Sequence, residues 1–479
     1  MKLIHHIARP AGSAWPTRRG LAVALLILAA STAQADIVTL GPSPQALPNC
    51  PANVFSLPGL CLVETAAQVR DVVGDYSKVR IGRGGVGSLL IDSGANLIVN
   101  RTELALGVPS NPDEIVGDHP GSAASLLVRN GGQLQITAPL SANNFLQLGV
   151  GVFAAPVGHI GPSTVVNIFE GGRISVVKAG GGGVGVGSAV AVGFAPGSDS
   201  LMLLDGGING FGNQALRARL DTNGNLSIGR EGTGSVDLFR FSDLTANLIY
   251  LAAVGTEGRA QLNVGVGSVL QASAIMAGIA VSVAPPGYDT NSPNHGTGVI
   301  STRDTGVINA SIVLGTGGVL MGTGTVGPSV LSYGGTIRPG FSPGRLTIDG
   351  SYTDVGGRIE IEIGPNGSDF LDVLGDLSLQ GTAIEFRFVD GFAPAAGFNV
   401  DFLDADGTLS LIGLQLSFSG LQPGFLFALD INPLTGQLAF RALNDGVAVP
   451  EPGMPALLGL AGFAAWVVAR RARERHLGR

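Results

Sequence analysis

The feature that most constrains the fold of this chain is a motif that recurs along its middle. Each copy has a run of alternating apolar residues, a cluster of glycines and a second alternating run. The clearest copy spans 79–99 and another spans 226–239. Looser copies are found at 125–136, 146–177, 190–209 and 250–270. Alternation with a period of two predicts short strands that each present one apolar face.

The glycine clusters indicate tight turns between these strands. Asn-Gly-Gly at 130–132 and Asp-Gly-Gly at 205–207 supply residues that accept positive φ angles. A single coil of strands cannot bury its apolar face, whereas coils stacked about 4.8 Å apart share one core. We therefore predict an all-β chain with a right-handed parallel β-solenoid over 79–350 and a smaller strand-rich region over 351–447. A β-sandwich would also alternate, but it does not need glycine pairs at equivalent places.

Composition narrows the class of partner. Apolar residues make up 45% of the chain, too many for a disordered protein, and the 75 glycines follow no triplet period. The net charge is −7, and arginines concentrate near both ends, so the body between them is acidic. Phosphate binding needs clustered Lys and Arg, so no nucleic-acid partner is expected.

The first 35 residues are typical of a secretory signal peptide. Basic residues precede a short apolar run over 21–30, and Ala33 and Ala35 are the small residues that signal peptidase accepts. Ten apolar residues are too few to span a hydrocarbon core of about 30 Å as a helix. We expect cleavage before Asp36, which leaves 36–78 as an N-terminal cap region.

The cap region holds both cysteines of the chain, Cys50 and Cys61. An oxidising compartment would let them pair, and the alternative is two free thiols. We predict the disulfide, because no histidine lies nearby to complete a metal site or a nucleophile pair.

The C-terminal segment 448–479 has three parts in order. Pro450, Glu451 and Pro452 precede an apolar run over 455–469, and Arg470 and Arg471 follow it. Prolines favour an extended, protease-accessible segment, and arginines after an apolar run stay cytoplasmic. The alternative is an ordinary membrane anchor with a chance Pro-Glu-Pro.

This tail resembles the PEP-CTERM sorting signal of Gram-negative bacteria. The resemblance implies that an exosortase, a membrane peptidase of bacteria that make exopolysaccharide, recognises Pro450, Glu451 and Pro452. It also implies that Arg470 and Arg471 stop transfer of a short transmembrane helix. The protein would be anchored transiently in the inner membrane and would then reach the outer surface or the extracellular matrix.

The repeats are similar to those shared by type V secretion passengers and PEP-CTERM proteins. The likeness is most specific over 315–376, whose order of segments resembles the end of an autotransporter β-helix. Autotransport itself requires a long C-terminal membrane barrel, and the strand-rich stretch after Asp376 is not expected to form one, so we expect general export and the tail signal instead.

Several motifs resemble catalytic or binding sites but fit turns better. Gly340-Phe341-Ser342-Pro343-Gly344 matches a nucleophile elbow, yet Pro343 lacks the N–H that an oxyanion hole needs. The glycine triads at 82–87 and 322–327 match a dinucleotide fingerprint, but strands rather than helices are expected after them. No cofactor is expected.

Titratable residues form no evident constellation. His119, His159 and His295 lack zinc-ligand spacing. Asp369, Asp372 and Asp376 could bind Ca²⁺, but alternation is expected to place Asp372 and Asp376 on one solvated strand face. No metal site and no catalytic residue are predicted.

We therefore expect an adhesin-like structural protein of the cell surface or matrix, not an enzyme, with exopolysaccharide or self-association left open as partners. The alternative is a β-helix lyase or glycosidase acting on polysaccharide. Its acids would have to come from residues that sequence alone cannot align, namely Asp205, Glu231, Asp237 and Asp243. Both tryptophans lie in the leader and tail, which weakens sugar stacking.

Overall fold

A computed structural model of the chain describes residues 123–449 with short gaps, and before residue 123 it describes the backbone of strand segments only. The gaps are 139–145, 149–162, 179–187, 194–197, 208–215, 230–231, 253–257, 282–287, 290–295, 342 and 433–434. The chain divides into two compact units, Met1–Val319 and Leu320–Arg479.

Every regular element of the described residues is a β-strand. Those of the first unit, in chain order, are β1 (Ile37–Leu40), β2 (Leu60–Val63), β3 (Gln68–Asp71), β4 (Lys78–Ile81), β5 (Val86–Ile91), β6 (Asn96–Asn100), β7 (Glu103–Leu106), β8 (Ala123–Val128), β9 (Gln133–Ala138), β10 (Leu146–Leu148), β11 (Ser163–Phe169), β12 (Arg173–Lys178), β13 (Ser188–Val192), β14 (Asp199–Asp205), β15 (Ala218–Thr222), β16 (Asn225–Ile228), β17 (Thr233–Arg240), β18 (Ser242–Thr245), β19 (Leu248–Leu251), β20 (Arg259–Val266), β21 (Val269–Ala277), β22 (Ala280–Val281), β23 (Tyr288–Asp289), β24 (Thr297–Thr302) and β25 (Val307–Leu314). Strand β26 (Gly318–Gly322) contains the boundary between the units.

The strands of the second unit are β27 (Thr325–Gly327), β28 (Ser329–Tyr333), β29 (Thr336–Pro339), β30 (Arg345–Ile348), β31 (Ser351–Val355), β32 (Arg358–Gly364), β33 (Gly367–Ser368), β34 (Phe370–Val373), β35 (Leu377–Gln380), β36 (Ala383–Phe388), β37 (Asn399–Ala405), β38 (Leu409–Ile412), β39 (Gln415–Ser419), β40 (Phe427–Asn432) and β41 (Gln437–Ala442).

The first unit is a parallel β-solenoid whose coils have three faces. The first face stacks β2, β5, β8, β11, β14, β17, β20 and β24 in parallel. The second face stacks β3, β6, β9, β12, β15 and β18, and the third stacks β4, β7, β10, β13, β16 and β19. Strands β21 and β25 each serve both of these faces. The prediction of an all-β solenoid is confirmed.

The core of the first unit lies between the faces and is aliphatic. Met202, Val236, Leu262 and Ile300 occupy equivalent positions on four successive strands of the first face, and all are fully buried. Each inward side chain therefore packs on its counterpart about 4.8 Å away in the next coil. This ladder is the reason why alternation is visible in the sequence.

The predicted glycine turns lie between the first and second faces. Asn130 has a φ of 49° and Gly131 a φ of 77°, which are the positive angles expected of Asn-Gly-Gly. A Cβ on Gly172 would lie 2.3 Å from the carbonyl oxygen of Val128 in the coil before it. Glycine is required there because backbone meets backbone.

The second unit has the same three-faced architecture. Its first face contains β29, β32, β36 and β39, its second β27, β30, β34 and β37, and its third β28, β31, β35 and β38. Parallel pairs such as Val330 with Tyr352 join strands on either side of residue 350. Parallel stacking thus continues past the position at which sequence periodicity ends the repeats.

An antiparallel hairpin ends the second unit. Strand β40 pairs with β41, and β41 pairs antiparallel with β37 of the second face. Behind this hairpin lies a cluster of phenylalanines, in which the Phe440 ring centroid is 4.9 Å from that of Phe386 and 5.3 Å from that of Phe427.

Candidate functional surfaces

A polar ladder lies on the outward side of the first face in the first unit. Asp237, Asn263 and Ser301 occupy one register position on three successive coils. Asn263 Nδ2 donates to Asp237 Oδ1 at 2.5 Å, and Ser301 Oγ donates to Asn263 Oδ1 at 2.6 Å. Ser235 Oγ donates to the same Asp237 oxygen at 2.9 Å. Asp237 Oδ2 receives no hydrogen bond from the described residues, which leaves one carboxylate oxygen available.

Burial and hydrogen bonding act on the pKa of Asp237 in opposite directions. Burial raises the pKa of this carboxyl group, and the hydrogen bonds from Asn263 and Ser235 lower it by less. Raised carboxyl pKa values are found both at functional sites and in structural networks.

A β-bulge next to this ladder exposes an aromatic ring. Leu204 pairs with Leu238, but Asp205 pairs with Arg240, so Phe239 is an extra residue without a counterpart in the previous coil. On its other side stands Gly265, whose Cβ, if present, would lie 2.2 Å from the Phe239 carbonyl oxygen. Phe239 is 54% exposed as a result.

Arg240 fixes the surroundings of the ring. Its Cζ lies 5.1 Å from the centroid of Phe239, within cation–π range. Its Nε and Nη2 donate to the two oxygens of Asp205 at 3.0 and 2.6 Å, which raises the pKa of the guanidinium. The side chains of Arg240 and Phe239 are thereby held in one arrangement on the surface.

Phe239 was not among the predicted site residues, because sugar contact was judged from the tryptophans and the acids. A signal was present, since alternation from Val236 to Leu238 places the next bulky residue outward. The register shift that leaves Phe239 without a counterpart in the previous coil could not be predicted from this alternation. The position of a bulge depends on the residue that pairs with the strand from the neighbouring coil, and here that residue is Asp205.

A charged groove of about 520 Å³ runs along the second face of the first unit. Arg219, Asp221, Asp243 and Gln271 line it from three successive coils. Arg217 forms its wall, and its Nε donates to the Asp243 oxygens at 2.9 and 2.8 Å. The carboxylates are thus already engaged by arginines.

Arg217 also ties coils together. Its Nη2 donates to the carbonyl oxygens of Ser242 at 3.2 Å and Gly267 at 3.0 Å, and its side chain is only 13% exposed. Asp221 accepts from Arg173 Nε at 2.8 Å. Saturated arginines and paired carboxylates stabilise the stack, but they are poorly suited to general acid–base chemistry.

The acids considered for a polysaccharide enzyme do not converge. Asp205 and Asp237 lie on the first face, whereas Asp243 lies on the second. Glu231 lies outside the described residues. Asp205 is held by Arg240, so the first face does not offer two unpaired carboxylates at these positions.

The outward side of the second unit's first face carries an ion ladder. Glu360 is 8% exposed and accepts from Arg338 Nε at 2.7 Å, and guanidinium nitrogens of Arg358 and Arg387 lie 3.8 Å from it. Arg358 continues to Glu385 in the next coil at 3.1 Å. Arginines and glutamates of neighbouring coils are therefore paired with each other.

The described residues of the glycine-rich segment 340–344 bend the chain between β29 and β30, as predicted for a turn, and Ser342 lies outside the described residues. Strand β30 follows it where a nucleophile elbow would require a helix. Asp369 is 3% exposed, and its Oδ1 accepts the Gly344 N–H at 3.0 Å while its Oδ2 accepts the Glu362 N–H at 3.1 Å. The acid thus holds the turn in place.

The prediction that Asp372 and Asp376 share a strand face is wrong. Asp372 lies in β34 and pairs with Arg345 Nη1 at 2.9 Å, whereas Asp376 lies in the turn before β35. Hydrogen bonds from the Thr408 hydroxyl and N–H lower the pKa of Asp376. Among the described residues, no group of three or more His, Cys, Asp or Glu side chains could hold a metal ion.

One acid is fully enclosed in the second unit. Asp354 Oδ2 accepts the Gly357 N–H at 2.9 Å and the Thr382 hydroxyl at 2.5 Å. Burial, and then the nearby Asp354, raises the pKa of Tyr352 well above its usual range. Neither side chain is exposed, so the pair belongs to the core rather than to a binding surface.

A strand, rather than a helix, begins within each glycine triad and contains its last glycine. Strand β5 begins at Val86 and β27 at Thr325, so neither triad opens the helix that a dinucleotide site requires.

The remaining predicted positions lie outside the described residues, at least in their side chains. They are Ala33 and Ala35 of the leader, Cys50 and Cys61, the three histidines, the Pro450-Glu451-Pro452 motif, and Arg470 and Arg471. In the described part of the chain, no helix is long and apolar enough to cross a membrane. The apolar run 455–469 is not in that part.

Comparison with known proteins assigns no family. A scan against protein-family models gives no match, and a search of curated proteins finds no matching relative. The observations that bear on function are therefore the stacked coils, the charge pairs between them and the exposed ring of Phe239.

Proposed function

We propose that this chain is an exported structural, adhesin-like β-solenoid protein of the cell surface or extracellular matrix. In this proposal an exosortase-type peptidase recognises Pro450, Glu451 and Pro452, and Arg470 and Arg471 hold the tail transiently in the inner membrane. The observation that carries the structural role is that outward charges are used to join coils.

These charge pairs recur in both units. They connect residues that are 22 to 48 positions apart in sequence, and they include Arg173–Asp221, Arg217–Asp243, Arg240–Asp205, Arg338–Glu360 and Arg345–Asp372. A catalytic surface keeps some titratable groups free for substrate, whereas a scaffold can use them to fix its repeat units. The pattern supports a repetitive, rigid surface.

Export is supported by the sequence. The leader ending at Ala35 and the tail beginning at 448 enclose the acidic, solenoid-forming body. A positive-inside tail with an apolar run of about fifteen residues suits a temporary anchor, since a permanent helix needs about 20.

The sorting step is tested by replacing Pro450, Glu451 and Pro452 with alanine in the full chain. The matched control replaces Gly453, Met454 and Pro455 with alanine, which changes the same segment but leaves the motif intact. Intact mass and cell fractionation are measured for the native chain and both variants in a bacterium that has an exosortase.

We expect the native chain and the control to lose the tail and leave the membrane fraction, and the motif variant to keep the tail. Retention of the tail in all three would contradict sorting. Release of all three would show that processing does not read the motif.

The enzymatic alternative has one observation in its favour, the raised pKa of Asp237 beside an exposed ring. A glycosidase uses two carboxyl groups, and the neighbouring Asp205 is bound bidentately by Arg240. Release of shorter saccharides by the native chain, but not by Asp237→Asn, would establish the alternative.

A further inference from the structure

We propose that the bulge at Phe239 and the adjacent ladder of Asp237 and Asn263 form a binding site for a neutral saccharide chain. The proposal goes beyond the structural role by naming a ligand class. It rests on the proposed function only in that the protein must be exported to meet a polysaccharide outside the cell.

The ring supplies the apolar part of the site. A pyranose presents a face of C–H groups that packs on an aromatic ring, and the contact requires a ring accessible from solvent. Phe239 is 54% exposed, and its neighbour in the next coil is Gly265, which has no side chain to cover it. Cation–π contact with Arg240 holds the ring in position before any ligand arrives.

The ladder supplies the polar part. Asp237 and Phe239 are two residues apart on one strand and both face outward, so their side chains are about 7 Å apart. Asp237 Oδ1 is occupied by Asn263 and Ser235, while Oδ2 receives no hydrogen bond from the described residues. A free carboxylate oxygen beside an exposed ring matches a sugar hydroxyl that projects from the stacked face.

The charge balance selects a neutral ligand. Arg240 is already neutralised by Asp205, so it is not available to bind an acidic sugar. Asp237 adds a second acid. The net charge of Arg240, Asp205 and Asp237 together at neutral pH therefore lies between zero and about −1. The three groups therefore offer no net positive charge to attract a uronic acid chain, whereas a neutral hexose chain needs none.

The test is titration of the purified full chain with neutral hexasaccharides of glucose, mannose and galactose, and with hexagalacturonate. Binding is measured by saturation-transfer difference NMR and calorimetry. We expect at least one neutral probe to bind and hexagalacturonate to bind at least tenfold more weakly. Phe239→Ala should weaken the neutral probe tenfold or more, and Asp237→Ala several-fold.

The matched control is Phe341→Ala, which removes another exposed phenylalanine, in the second unit, and should leave binding unchanged. The proposal is overturned if no neutral probe binds, if hexagalacturonate binds as tightly, or if both phenylalanine variants behave alike. Cleavage of a probe would replace binding with the enzymatic alternative. This assay uses purified protein, so its failure leaves the sorting result unaffected, and a failed sorting test leaves binding unaffected.

Discussion

Coils in both units have the same three-faced architecture, but their interiors are filled by different side chains. In the first unit the described buried apolar side chains include no aromatic ring, and Met202, Val236 and Leu262 stack in register. In the last coils of the second unit, rings of Phe386, Phe402 and Phe440 meet at centroid distances of about 5 Å. Where one coil covers the next, small side chains suffice. Where an antiparallel hairpin ends the stack, no further coil packs on the last one, and large rings fill the space beneath the hairpin.

The largest expected loss of stability comes from disrupting the phenylalanine cluster of the second unit. Phe440→Ala removes a fully buried ring that contacts four others, and we expect a loss of about 3–5 kcal/mol in the free energy of unfolding. Hydrogen exchange should accelerate in β36–β41. Phe341→Ala, at an exposed position, should cost under about 1 kcal/mol. Equal costs would show that the cluster does not close the second unit.

The next effect concerns the close approach of coils. Gly229 has a φ of 60°, and a Cβ there would lie 2.2 Å from the Arg259 carbonyl oxygen, so Gly229→Ala should cost about 3 kcal/mol or more. Gly381 has a φ of 65° but open space around it, so Gly381→Ala should cost about 1 kcal/mol. Denaturant unfolding measures both. Similar costs would mean that φ alone, rather than coil contact, requires glycine.

A smaller effect separates buried from exposed charge pairs. Glu360→Gln leaves three arginines around a residue that is 8% exposed, and we expect a loss of about 1–2 kcal/mol. Asp221→Asn breaks a pair whose side chains are 46% and 28% exposed, and it should cost at most about 0.5 kcal/mol. In about 1 M salt only the Asp221 effect should vanish. Equal sensitivity to salt would contradict this distinction.

The smallest effect is a dependence on pH with opposite signs in the two units. Arg441 lowers the pKa of Asp430, so its contribution is present above the ordinary value of 3.8 and is lost as pH falls through the lowered pKa. Burial raises the pKa of Asp237, so the contribution of Asp237 to stability is most favourable below the ordinary value of 3.8. That contribution falls as pH rises through the raised pKa.

Melting temperatures of two variants between about pH 2 and about pH 7 test these signs. At neutral pH, Asp237→Asn should melt above the native chain and Asp430→Asn below it. Both differences should fade toward low pH. A shift of both variants in the same direction would show that the two environments do not differ as described.

Periodicity and turn chemistry made the solenoid predictable. Asn130 and Gly131 sit at positive φ as their residue types require, and the coil repeats follow the alternation. The continuation of parallel coils past residue 350 was not predicted, because buried acids help to hold these coils: Asp354 accepts from Thr382 and Asp369 accepts from Gly344 and Glu362. Those roles depend on contacts with residues far along the chain.

The candidate site was only half predictable. Alternation places Asp237 and Phe239 on the outer side, but nothing local indicates that Asp205 will pair with Arg240 and push Phe239 out as a bulge. Residue types were visible, whereas the register between coils was not. Sites on a stacked surface are assembled by that register.

Parallel stacking also sets how each unit would respond to force. Hydrogen bonds between coils, such as those along β14, β17 and β20, point along the stacking direction. Tension in that direction would load one coil boundary at a time and peel strands apart in sequence. Tension along a strand would instead shear all the bonds of that strand together. Each unit should therefore be soft along its stack and stiff across it, and Arg217, which bonds to both Ser242 and Gly267, acts as a clip against peeling.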